Sequence, residues 1–161
     1  MSGAVRQAVI YSVAMVACGA PGPGLVAQQQ VVIERWMQCQ ECDGSELDSV
    51  AALGQAAVPR LRDYLLNGPE PERVDRVREH LERSYDSTSA RSPGERLQMS
   101  KGLLVQTFLG NLDAVYRVRS ARALREIGGG TARAALDSAS RLNLRDDVLQ
   151  EVRASLDSMP P

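Results

Sequence analysis

The chain predicts an all-α fold in which antiparallel helix pairs stack side by side. Three observations carry this. One helical phrase occurs three times, as Leu47-Asp48-Ser49-Val50-Ala51-Ala52-Leu53-Gly54, as Tyr116-Arg117-Val118-Arg119-Ser120-Ala121-Arg122-Ala123-Leu124, and as Val148-Leu149-Gln150-Glu151-Val152-Arg153-Ala154-Ser155-Leu156. Each copy sets small or branched apolar residues on one face and charged residues on the other, the pattern of stacked helical units. Of 161 residues, 43% are hydrophobic but only 4% aromatic, so the core is built from Ala, Leu and Val. Such small side chains let helices approach closely. Strand-forming runs of Val, Ile, Thr and Tyr are nearly absent.

The length fits one domain. Formal net charge is −1, from 19 basic and 20 acidic residues, and Lys101 is the only lysine. That balance argues against a nucleic-acid binder, which shows a basic surplus on one face.

Residues 1–27 are set apart from the fold. Arg6 gives a positive start, Ala8 to Ala17 is an uncharged apolar run, and Gly19-Ala20-Pro21-Gly22-Pro23-Gly24 breaks any helix. The run is short for a membrane span and reads as a secretory signal, with cleavage after Ala27. Met15-Val16-Ala17-Cys18 also resembles a bacterial lipobox, in which Cys18 is lipidated and the Gly/Pro stretch becomes a tether. An uncleaved anchor is the third alternative. All three place residues 28–161 outside the cytoplasm and give membrane contact only through the leader or lipid.

The spacing of Val32, Ile33, Trp36 and Cys39 predicts an amphipathic helix with Trp36 as a core anchor. Cys39-Gln40-Glu41-Cys42 predicts a short disulfide tying a helix end to the next turn. A redox role is the rival, but the motif lacks the βαβ setting of thioredoxin-type pairs. Asp43-Gly44-Ser45 is a turn, with Ser45 or Asp43 capping the next helix and Glu46 and Asp48 in its first turn. Val50 and Leu53 face inward and Gly54 stops that helix. Pro59 opens another, whose inner stripe is Val58, Leu61, Tyr64 and Leu65; Asn67-Gly68-Pro69 ends it.

At this point the chain resembles a family. Ala52-Leu53-Gly54-Gln55-Ala56-Ala57-Val58-Pro59-Arg60-Leu61 is similar to the HEAT repeat of armadillo-like α-solenoids, in its short bacterial form. Ala123 to Gly129 followed by Thr131 to Leu136 is a second, looser unit that lacks the Val-Pro. The resemblance covers about 46–66 and 114–157, and implies a short α-solenoid that binds a protein partner.

Pro71 to Asp86 predicts a charged helix with one stripe of Val74, Val77, Leu81 and Tyr85. His80 falls on its solvent side. Residues 87–94 read as a mobile polar loop. Leu97 to Leu112 reads as the central core helix, with Leu103, Leu104, Phe108 and Leu112 on one face. Asn111-Leu112-Asp113 either breaks it or caps the next helix, and further helices run over about 114–127, 131–141 and 146–158. Asp146 and Asp147 suit the start of the last one.

No phosphate loop, nucleophile elbow or metal-ligand set emerges, and no cofactor or catalytic residue is assigned. The sequence points to an exported protein–protein interaction or scaffold module of a bacterial envelope. Arg117, Arg119, Arg122 and Arg125 are its expected partner-binding residues.

Overall fold

A computed structural model describes residues 23–42, 44–91 and 99–159, with side chains from residue 27 onward. Among these residues there are seven α-helices and no strand. They are α1 (Pro23–Gln38), α2 (Ser45–Ala51), α3 (Val58–Asn67), α4 (Pro71–Arg91), α5 (Lys101–Ile127), α6 (Gly129–Ser140) and α7 (Asp146–Ser158), with a 3-10 turn at Gly54–Ala56 before α3. The expected leader's apolar run and Cys18 lie outside the described residues. α1 begins at Pro23 and continues through the Ala27–Gln28 bond.

The second half of α5 is the axis of the core. It packs against α1, α2, α3, α6 and α7, while α3 also meets α6 and α6 meets α7. The three copies of the repeated phrase thus fall on or just after α2, on late α5 and on α7, with α5 between the other two. Leu61, Leu65, Leu124 and Leu136 are fully buried. Each such side chain contributes roughly 1.5–3 kcal/mol by leaving water. Leu53 and Leu156 pack on the same core from its edge. Alanines 121, 123, 132, 135 and 139 fill the seams between helices.

The expected stripe of α3 is the buried one, and α7 has its expected bounds. Trp36 is buried, and its indole N–H donates to the Arg119 carbonyl at 3.1 Å. Cys39 and Cys42 are paired, with Cα atoms 5.8 Å apart, directly after α1. Gly68 ends α3 at φ 78°, and a Cβ there would meet the Asp113 carboxylate.

Four expectations need correction. Gly44, at φ 99°, precedes α2; Ser45 is its first helical residue and supplies no cap, and Asp43 lies outside the described residues. α2 ends at Ala51, so Gly54, at φ 56°, opens the 3-10 turn instead of stopping the helix. α4 runs on to Arg91, through part of the expected 87–94 loop, and residues 92–94 lie outside the described residues. Its hydroxyls accommodate the helix, as Thr88 donates to the Ser84 carbonyl at 2.9 Å. α5 is continuous across residues 111–113, because Asp113 finds a partner one turn on, Arg117, at 2.8 Å.

Candidate functional site

The four arginines of α5 are held by the protein itself. On a helix, residues two apart point to nearly opposite sides. Arg117 and Arg119 therefore reach different neighbours. Arg117 donates to the carbonyls of Leu65 and Leu66, both at 2.8 Å, in the last turn of α3. Arg119 donates to Trp36, Met37 and Cys39 at the end of α1, at 3.0, 2.6 and 2.6 Å. Final-turn carbonyls have no intrahelical donor, and a guanidinium fork satisfies two or three of them at once. Burial pulls Arg119 below the ordinary guanidinium value. Arg122 and Arg125 share a face and meet Glu151 of α7 at 2.9 and 3.9 Å. The hydrogen bond that Arg122 donates to Glu151 holds its guanidinium above the usual range.

A second cluster joins α3, α4 and α5. Tyr64 and Tyr116 meet edge-to-face with centroids 5.1 Å apart. Arg60 lies over the Tyr64 ring at 4.4 Å, and Arg73 lies 5.8 Å from the Tyr116 ring centre. The Tyr64 hydroxyl donates to Glu70 at 2.8 Å, and Arg60 pairs with the same carboxylate. Burial pushes both phenols up from their ordinary value. The adjoining cleft of about 250 Å³ is lined by Tyr64, Glu70, Arg73 and Tyr116 of this cluster together with Glu34 and Glu72.

The open surface lies elsewhere. α4 has no buried residue, and the buried residues of α5 begin only at Ala114. The two helices form an antiparallel arm, fastened near its tip by Lys101 to Asp86 at 2.8 Å and by the Tyr85 hydroxyl donating to the Met99 carbonyl at 3.2 Å. Between them runs an apolar groove of about 330 Å³, lined by Leu81, Tyr85 and Thr88 from α4, Leu104 and Phe108 from α5, and Met99 just before α5. Phe108 is 53% exposed and neighbouring Leu103 52%. The expected core role of Leu103 and Phe108 is thus corrected, since among the described residues both are more than half exposed and the buried residues of α5 begin only at Ala114. No ionisable residue occurs from 102 to 112.

His80 is exposed on α4. Among the described residues no cluster of three His, Cys, Asp or Glu could hold a metal, and no helix is long and apolar enough to cross a membrane. No family model, curated protein or solved structure matches the chain.

Proposed function

We propose that this chain is an exported, HEAT-like helical interaction module that docks a protein through the groove between α4 and α5. The groove itself carries the reading. It is apolar, uncharged along α5 and open to solvent, on an arm whose α4 has no buried residue. Exposed apolar patches of this kind mark interaction sites. The adjacency of the three repeat copies supports the HEAT-like part. The apolar leader, with a cysteine pair set for a disulfide, supports export to an oxidising envelope compartment. Of the four arginines, Arg122 keeps the largest side-chain exposure, 47%, against 12% for Arg117 and 32% for Arg125. A partner contact on that face would centre on Arg122.

The test is a photo-cross-linking residue at Thr107 in cells that export the chain. The expected result is a discrete protein adduct that Phe108→Glu abolishes and Arg122→Glu leaves in place. Absence of any adduct, or one indifferent to Phe108→Glu, contradicts docking at the groove.

One observation favours a second reading, a thiol–disulfide role for Cys39 and Cys42. The Arg119 guanidinium reaches the Cys39 carbonyl, and a nearby cation favours a thiolate. Opposing it, Cys39 follows the C-terminal end of α1, where the helix dipole disfavours an anion. A reduction potential below about −300 mV marks an inert structural bond and removes this reading.

A further inference from the structure

We propose that the cleft between α5 and the start of α7 is a second binding site, which takes the carboxylate of a small aliphatic acid. It lies apart from the α4–α5 groove and does not depend on what docks there.

The cleft holds about 320 Å³, at the small end of ligand pockets. Arg119 and Arg122 line it from α5, and Arg145 and Asp147 line it from the start of α7. Residues 115, 119 and 122 are one helical turn apart, so one side of α5 presents Val115 together with both guanidiniums. Val115 is 39% exposed, and Val118 beside it is only partly buried.

The charges of the cleft do not cancel. Arg145 grips both oxygens of Asp147, at 2.7 and 2.6 Å, and reaches the Asn111 side chain of α5 at 2.9 Å. That wall is neutral and clasped shut. Asp113 is taken by Arg117, Arg125 has Glu126 at 2.7 Å, and Asp146 does not line the cleft. Arg119 is bonded to backbone carbonyls, which carry no countercharge. Arg122 has Glu151 at 2.9 Å. Arg119, Arg122 and Arg145 thus face two carboxylates, Asp147 and Glu151. An excess of one positive charge suits a carboxylate better than a phosphate.

Donors are also to spare. Beyond its bond to Glu151, the guanidinium of Arg122 meets no other acceptor among the described residues, and its side chain is 47% exposed. A carboxylate can take the fork that these N–H groups present. An aliphatic tail would cover Val115 and Val118. Burial, and then the like charge of Arg122, pull Arg119 below its ordinary value, and a bound anion relieves that repulsion.

Amide chemical shifts of the full chain test this, in titrations with isovalerate, N-acetylvaline and isovaleramide at constant ionic strength. The expected result is saturable shifts at residues 114–122 and 145–148 with an acid, and none with the amide of the same shape. A stronger response to N-acetylvaline assigns the carboxylate to a peptide C-terminus, and a stronger response to isovalerate assigns it to a free acid. Arg122→Gln should raise the dissociation constant at least about tenfold, with the helical spectrum unchanged. Arg122→Lys, which keeps a cation beside Glu151, should also bind more weakly, because an ammonium lacks the fork. Arg153→Gln removes an exposed charge outside the cleft and should bind as the native chain does. Absence of saturable shifts with both acids overturns the proposal. So does an equal response to isovaleramide, or an Arg122→Gln chain that binds no more weakly than Arg153→Gln.

Discussion

Arg119 ties two helices together with one side chain. Its guanidinium takes the free carbonyls at the end of α1, and its own carbonyl receives the Trp36 indole N–H. Arg119→Ala leaves those acceptors half-buried without a donor and should cost about 3 kcal/mol in urea unfolding. Arg119→Lys should recover little, because an ammonium cannot span three carbonyls. Equal stability of all three forms would show that water satisfies the carbonyls instead. Tyr64 and Tyr116 give a pH signature. Burial raises both phenols, so the fold favours their neutral form. That stability is fully present below the unfolded phenol value near 10 and is lost as pH rises through the higher folded values. Absorbance titration should show Tyr64 and Tyr116 ionising late, together with loss of helix. Ionisation of Tyr64 and Tyr116 at the ordinary phenol value with the fold intact would contradict the burial argument.

Among elements, α3 and α7 were legible in the sequence because each has one apolar stripe, a start signal and a clear stop. α5 was half legible. Its apolar spacing is the same before and after residue 113, and periodicity cannot say which half a neighbour covers. The bounds of α4 were missed because its final Ser and Thr residues read as a loop, although the Thr88 hydroxyl finds the Ser84 carbonyl one turn back. The divergence of Arg117 and Arg119 was available from helical geometry alone, yet the grouping by sequence hid it. The Cys39–Cys42 bridge closes so short a loop that its entropic effect is at most about 2 kcal/mol. Replacing both cysteines by Ser should lower stability by about 1–2 kcal/mol and leave the helical spectrum intact. A collapse of helicity would mean that the bridge organises the fold instead of fastening one corner.

Across the whole molecule, burial divides the described chain into a core and an arm. The core helices share one cluster of buried residues, with late α5 at its centre. The arm is held by one seam and a few polar contacts near its tip. The sequence announced the helical class and the core through its repeats. It disguised the groove, because Leu104 and Phe108 have the spacing of core residues. Two hints were present: an uncharged run longer than the core can cover, and a facing helix too polar to bury more than one stripe. Helix class is set by local periodicity, whereas exposure depends on which distant segment arrives to cover a face.

Native-state hydrogen exchange on the purified chain tests the division into core and arm most directly. Amides of late α5, residues 114–124, should exchange only through global unfolding, while those of 101–112 and the end of α4 open several kcal/mol more easily. Uniform protection along α5 would contradict the account, since the arm would then belong to the core and its groove would have no surface to offer.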